Sequence, residues 1–167
     1  MTLTQNIILN HLQIKHKIRR IAFQIYECNV ESKEVILAGI LTNGYKLAEL
    51  IAKELNTISD LKVTLCKVKV DKLNPINSVT TSLDKDDIAN KSLVLIDDVL
   101  NSGTTLIYGI KHFLDVPLVQ FKTAVLVNRN HKKYPVKADF KGISLSTSLH
   151  EHVQVSFEEG KYNASLE

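Results

Sequence analysis

One stretch of the sequence, residues 93–106, constrains the fold more than any other. It begins with four apolar residues, 93–96, a run typical of a strand that is buried on both faces. Two adjacent carboxylates, Asp97 and Asp98, follow the run, and a loop of small residues comes next. After the loop, apolar side chains recur at helical spacing. The stretch therefore predicts a buried strand, an acidic pair, a tight loop and an amphipathic helix.

This arrangement suits a phosphorylated sugar. Small residues let backbone N–H groups turn inward, the start of a helix adds partial positive charge, and Gly103 permits positive φ and a close ligand. The acidic pair follows a strand, at the usual ligand edge of an open α/β sheet. Its carboxylates can accept hydrogen bonds from sugar hydroxyls and can hold Mg²⁺ directly or through water. The alternative is an ordinary helix cap, but a cap needs no paired acids.

The whole chain sets wider limits. Its 167 residues, 44% of them apolar, fit one domain with a substantial core, and the net charge of +3 does not by itself require a nucleic-acid partner. Cys28 and Cys66 fit no metal spacing and are typical of a reduced intracellular protein. Because no apolar run approaches the roughly 18–20 residues of a membrane span, and the first residues lack a signal pattern, we expect a cytoplasmic protein.

Strand-like and helix-like segments alternate along the chain, which predicts a parallel sheet with helices on both faces. Three polar turns follow strands and are expected at one edge of that sheet: 42–44, 97–105 and 128–131. The C-terminal residues 158–167 are polar and are expected to fray. The remaining predictions are a helix over 3–28 with a break near His11, strands over 35–41, 61–70, 119–127 and 138–145, and a helix after Gly44.

Two segments allow two interpretations each. Residues 71–87 are polar and predict a long mobile segment or a loose hairpin, which serves either as a lid or as a passive insertion. The first helix carries a basic run over 15–20, which is either a solvated helix face or a contact surface for the phosphates of RNA.

The stretch over 93–105 closely resembles the phosphoribosyl-diphosphate (PRPP) signature of type I phosphoribosyltransferases, without a mismatch. Most of the chain, roughly 17–155, further resembles the family of bifunctional pyrimidine-operon attenuators and uracil phosphoribosyltransferases. The matching segments are Arg20-Ile21-Ala22, Glu27-Cys28-Asn29, residues 38–44, Asp98-Val99-Leu100, residues 126–131, residues 134–142 and Ser146-Thr147-Ser148.

The resemblance implies an α/β type I phosphoribosyltransferase fold in a single domain over 1–167. An N-terminal helical region (1–30), a mobile lid (71–87) and a hood segment (142–157) would complete it. The implied enzyme is a pentosyltransferase that converts uracil, or a related pyrimidine, and PRPP to nucleotide and pyrophosphate with Mg²⁺. The alternative is a nucleotide-sensing RNA-binding attenuator with weak or no catalysis. Family members also self-associate, so a homodimer or higher homo-oligomer is expected.

The resemblance also assigns roles to individual residues. Asp97 and Asp98 would bind the ribose hydroxyls and hold Mg²⁺ indirectly. Arg129 and Val153 lie where the family holds the nucleobase or nucleotide. The PRPP-binding residues would be Asp97, Asp98, Val99, Leu100, Asn101, Ser102, Gly103, Thr104 and Thr105, of which Asn101 to Thr105 hold the 5-phosphate. The pyrophosphate-binding residues would be Thr42, Asn43 and Gly44.

The chain departs from the family pattern at several positions. Asn43 stands where the family usually has an arginine beside pyrophosphate, and residues 128–131 are Asn-Arg-Asn-His instead of Asp-Arg-Gly-His. Asn101 stands where purine-salvage relatives have an aspartate general base; since an amide cannot take a proton there, purine salvage by that mechanism is disfavoured. Of the basic residues that family members use on RNA, Lys17 and Arg20 are kept.

Overall fold

A computed structural model describes residues 6–129 and 131–167. No helix among these residues is both long enough and apolar enough to cross a membrane. The elements are β1 (Asn6–Leu9), α1 (His11–Cys28), β2 (Glu34–Ile40), α2 (Asn43–Ile58), β3 (Lys62–Lys69), β4 (Thr80–Thr81), α3 (Lys85–Ile88), β5 (Ser92–Leu100), α4 (Thr104–Phe113), β6 (Gln120–Arg129), β7 (Phe140–Leu145), β8 (Val153–Ser156) and β9 (Asn163–Leu166).

The larger sheet has six strands in the order β4-β3-β2-β5-β6-β7. All neighbours run parallel except β4, which is antiparallel to β3, so the predicted parallel sheet is confirmed. Central β5 lies between β2 and β6, and its apolar run is fully buried. Alternate side chains of β5 enter opposite layers: Val94 and Ile96 pack with α1 and α2, whereas Leu93 and Leu95 pack with α4.

The N-terminal region differs from the predicted helix over 3–28 with a break near His11, because the part before the break is not helical. Residues 6–9 form β1, and α1 starts only after Asn10. A capping box sets this start: the Asn10 side chain accepts from the Gln13 backbone N–H at 2.9 Å, and the Gln13 side chain accepts from the Asn10 N–H at 2.9 Å. The helical spacing over 7–8 is thus overridden by the cap and by pairing of β1 with β9. Residues 1–5 of this region lie outside the described residues.

A smaller antiparallel sheet has the order β1-β9-β8, and it corrects two sequence predictions. The C-terminal residues do not fray throughout, because β9 is the central strand and its Ala164 and Ser165 are buried. This pairing joins the two ends of the chain, so a local pattern does not reveal it. The segment 142–157 also does not form one unit, since its first residues belong to β7 of the larger sheet and only β8 joins the smaller one.

The segment 71–87 contains the turn that joins β3 to β4, the strand β4 and the start of α3. Thr80 and Thr81 pair with Lys69 and Val68 at the edge of the larger sheet. Asp71 orders the turn before β4: one carboxylate oxygen accepts from the N–H groups of residues 73 and 74 at 3.0 and 3.1 Å. The other accepts from the side chain of Asn77 at 2.9 Å. Sequence reasoning missed this network, which lies in a stretch with few apolar residues.

Candidate functional site

The acidic pair lies within β5 rather than beyond it. The strand continues through Asp97 and Asp98 to Leu100, because the β5–β6 ladder persists to the pair Leu100–Asn128. Asp97 is 5% exposed and Asp98 is half-buried. A carboxylate oxygen of Asp97 accepts from the Asp98 N–H at 2.9 Å, and one of Asp98 accepts from the Val99 N–H at 2.9 Å. The backbone of β5 therefore holds both carboxylates in place.

Burial gives Asp97 an unusual ionisation. Desolvation raises the pKa of Asp97 well above its usual range, and the neighbouring Asp98 carboxylate raises it further. The positive charge of Lys72 lowers the pKa of Asp97 and so acts in the opposite direction. Asp97 thus keeps its proton to a higher pH than an exposed aspartate does. Lys72 belongs to the 71–87 segment, so a positive charge on that segment affects the ionisation of Asp97.

The loop after β5 forms an open recess. Gly103 has φ of +84°, and a Cβ there would overlap Val136, so the turn requires glycine. The backbone oxygen of Ser102 accepts from the N–H groups of Lys133 and Tyr134 at 2.8 and 3.1 Å, which fixes the loop from outside. Helix α4 starts directly after Gly103. The recess is small, about 30 Å³, and is lined by Asp97 and residues 99–106.

The predicted turn 42–44 reaches the same place. The peptide bond between Leu41 and Thr42 is cis, and α2 begins at Asn43. A Cβ on Gly44 would lie 2.6 Å from the backbone oxygen of Ile96 and 3.0 Å from the Cα of Asp97. The absence of a side chain at Gly44 therefore lets the start of α2 rest directly against β5, beside the acidic pair.

Asn43 connects this turn to two other elements. Its side-chain amide donates to the second carboxylate oxygen of Asp98 at 3.1 Å and to the backbone oxygen of Val155, in β8, at 2.9 Å. The short amide thus joins α2, β5 and the smaller sheet. It occupies the position where the family pattern has a longer, charged side chain.

Arg129 is the last residue of β6 and is 5% exposed. Its guanidinium donates to the side-chain oxygen of Asn101 at 2.9 Å and to the Thr147 hydroxyl at 3.0 and 2.6 Å. It also donates to the backbone oxygens of Ser148 and Glu151 at 3.1 and 2.6 Å. Arg129 thus contacts the loop after β5 and the turn before β8, the strand that Val153 begins.

The third predicted turn, 128–131, is only partly described, since Asn130 lies outside the described residues. The Asn128 amide donates to the Ser144 hydroxyl at 3.3 Å, whereas its buried side-chain oxygen has no hydrogen-bond partner in the described part of the chain. His131 contacts the backbone oxygen of Thr147. Sequence reasoning placed Thr147 only in a matching segment and gave it no role; the run of small polar residues after the last parallel strand was the available signal.

The two residues singled out for RNA lie on α1. Arg20 donates to the backbone oxygens of Lys141 and Gly142 at 2.6 and 2.8 Å, so its guanidinium anchors α1 to β7. Lys17 is half-buried, while Lys15, His16, Arg19 and Arg20 are exposed. The basic run of this helix therefore lies largely at the surface, although the Arg20 guanidinium also binds β7.

Comparisons with known proteins agree with this geometry. The family model described as phosphoribosyl transferase domain matches residues 4–159. Proteins named bifunctional protein PyrR, from Staphylococcus aureus strain bovine RF122 and Leuconostoc citreum, are 33% and 30% identical, each over 94% of both chains.

Solved structures show the same fold at lower identity. The hypoxanthine phosphoribosyltransferase of Trypanosoma cruzi has a TM-score of 0.76 at 16% identity, with 96% of this chain and 95% of that chain covered. A hypoxanthine-guanine phosphoribosyltransferase of Bacillus anthracis has a TM-score of 0.74 at 19% identity, with 97% and 98% covered. At these identities the likeness is one of fold.

Proposed function

Because this chain belongs to the phosphoribosyltransferase family and has its type I fold, we propose that it transfers the phosphoribosyl group of PRPP to uracil or a related pyrimidine and releases pyrophosphate. The observation that carries the proposal is the convergence at the end of β5. The acidic pair adjoins both the recess over 99–106 and the start of α2, so the ribose of PRPP can lie there with its 5-phosphate on one side and its pyrophosphate group on the other.

Each part of the site has a proposed role. The N–H groups of the loop over 101–105 and the start of α4 bind the 5-phosphate. Asp97 and Asp98 accept hydrogen bonds from the ribose hydroxyls. The turn 42–44 binds pyrophosphate through its backbone and Asn43. The base lies toward Val153, the first residue of β8.

The chemistry is a displacement at the anomeric carbon of the ribose. The bond to pyrophosphate breaks while a ring nitrogen of the base forms the new bond, and positive charge develops on the ribose. The proton of that ring nitrogen leaves with the departing pyrophosphate. Two carboxylates at the sugar stabilise that positive charge, and the anchored turns hold the reactants in line. Positioning and charge stabilisation therefore account for the rate enhancement. Asn101 cannot act as a proton acceptor, because its side chain is an amide.

The acidic pair also fits Mg²⁺, as a partial site. The described residues contain no cluster of three or more His, Cys, Asp or Glu side chains that could hold a metal. Two fixed carboxylates at the proposed ribose position match a cation that takes its remaining oxygens from PRPP and water. When bound there, Mg²⁺ supplies charge neutralisation for the departing pyrophosphate. Asp97 and Asp98 are the residues that would hold it.

A pyrophosphate-release assay with PRPP and Mg²⁺ tests this function, with uracil, cytosine, hypoxanthine and guanine offered separately. We expect uracil to react fastest, because the resemblance implies a pyrimidine acceptor and Asn101 lacks the carboxylate of purine-salvage relatives. Asp98→Asn should lower kcat/KM for PRPP by about tenfold to a thousandfold. Preference for a purine, or no turnover with any base, would contradict the proposal.

A second candidate function is RNA binding by the basic residues of α1, of which Lys15, His16, Arg19 and Arg20 are exposed and Lys17 is half-buried. The relatives are named bifunctional proteins, which is consistent with a second activity. We expect RNA affinity that falls steeply with salt and drops in Lys15→Glu/Lys17→Glu, because each lysine neutralises a phosphate. Equal affinity of the variant and the unaltered protein would remove this candidate. Light scattering tests the expected homo-oligomer.

A further inference from the structure

The most unusual charged group among the described residues is the guanidinium of Arg129. It is almost fully buried, and its hydrogen-bond acceptors are neutral: the Asn101 amide oxygen, the Thr147 hydroxyl and two backbone oxygens. A buried cation with one carboxylate partner would form an ion pair. Instead, the N–H donors of Arg129 are divided between the loop after β5 and the turn before β8.

The carboxylate of Glu151 does not pair with Arg129 in these contacts. It accepts from the Ser148 N–H at 2.7 Å and so closes the turn over 148–151. That hydrogen bond lowers the pKa of Glu151, and the charge of Arg129 lowers it further. Glu151 thus shapes the turn, while its backbone oxygen, not its carboxylate, receives the Arg129 donor.

The donors of Arg129 are also already committed. Its Nε and one terminal nitrogen share the Thr147 hydroxyl, that terminal nitrogen reaches two backbone oxygens, and the other terminal nitrogen donates to Asn101. A planar guanidinium whose N–H donors bind several protein groups holds those groups at fixed positions relative to one another. It has little capacity left for a nucleotide.

We propose that Arg129 is a positioning residue that sets the distance between the two ends of the nucleotide site. It ties Asn101, in the loop proposed to hold the 5-phosphate, to the turn 147–151, which leads into β8 and the proposed base position at Val153. Arg129 therefore acts on the nucleotide through these two loops and not by touching the base. This inference rests on the proposed function and deepens it.

The first test compares Arg129→Lys with Arg129→Gln by hydrogen–deuterium exchange of the ligand-free protein. Lysine keeps the charge but lacks the fork. We expect both variants to exchange faster over 99–105 and over 145–153 together. Arg19→Lys makes the same chemical change on an exposed helix face and should leave both segments unchanged. Unchanged exchange in both Arg129 variants would overturn the inference.

The second test measures binding of ribose 5-phosphate by calorimetry. A positioning role predicts that lysine fails as glutamine does: both variants should lose about tenfold in affinity, or about 1.4 kcal/mol, since binding must then order the released loop. Near-normal affinity of Arg129→Lys with a large loss in Arg129→Gln would instead show that the charge contacts the ligand, and would refute the positioning role.

Substitutions at Thr147 keep the inference testable if the Arg129 variants do not fold. Thr147→Val removes the shared hydroxyl and should speed exchange over 99–105, a segment on the far side of Arg129. Thr147→Ser keeps the hydroxyl and should restore normal exchange. An effect of Thr147→Val confined to 145–153 would contradict the inference. Because exchange is measured without ligand, it is informative even if no base is turned over and the proposed function fails.

Discussion

The close contact at Gly44 makes a quantitative prediction about catalysis. In Gly44→Ala the new Cβ would lie 2.6 Å from the backbone oxygen of Ile96, whereas ordinary contacts of a Cβ begin at 3.4 Å. The obstructing atoms belong to the backbone of β5, which cannot rotate away. The start of α2 must therefore move away from β5 by about 1 Å, a displacement that can cost about 100-fold in rate at a reacting centre.

We expect kcat/KM for PRPP to fall about 100-fold in Gly44→Ala, measured by pyrophosphate release. Overpacking should cost about 1–3 kcal/mol of unfolding free energy in urea, offset in part by the higher helix propensity of alanine, about 1 kcal/mol. Gly160→Ala is the control: a Cβ there meets nothing within 4 Å, but φ is +76°. It should lose stability without losing activity. A kcat/KM of Gly44→Ala within threefold of the unaltered protein would refute the reasoning.

Three further predictions follow from the same region. Gly103→Ala should lower the unfolding free energy by about 1–2 kcal/mol because of its positive φ, and by about 1–3 kcal/mol more because of overlap with Val136. In urea titrations, the overlap penalty should disappear when Gly103→Ala is made together with Val136→Ala. An equal effect of Gly103→Ala with and without Val136→Ala would contradict this. The folded pKa of Asp97 is raised above its usual value of 3.8, so the stability that this group contributes is fully present below that value and is lost as pH rises through the folded pKa. Asp97→Asn should therefore gain stability relative to the unaltered protein with rising pH while losing about tenfold or more in activity; parallel stability curves would contradict it. Asn43→Arg should bind pyrophosphate about tenfold more tightly in calorimetry, because it adds a cation at the proposed pyrophosphate turn, and unchanged affinity would argue against that location.

Sequence patterns were most informative where local chemistry decides the structure. The apolar run over 93–96 predicted the central strand because a strand buried on both faces has a nearly continuous apolar sequence. The glycine at 103 predicted a turn with positive φ, and φ there is +84°. The acidic pair was predicted to follow the strand but lies within it, since the ladder with β6 continues through both residues.

The elements that local patterns missed depend on pairing between distant segments. β9 is polar and four residues long, and it is ordered because β1 and β8 flank it. The same holds in the site: neither Asn43 nor Arg129 carries a pattern that reveals its partners, Val155 and Thr147, which are more than a dozen residues away. Their contacts are consequences of topology, and only the structure supplies them.

Binding of PRPP itself tests the central claim most directly, that the end of β5 and its loop hold a phosphorylated ribose. Calorimetric titration in Mg²⁺ buffer should show saturable binding of one PRPP per chain, weakened by about tenfold or more in Asp97→Asn/Asp98→Asn. The absence of saturable binding, or equal affinity in the double variant, would contradict the claim.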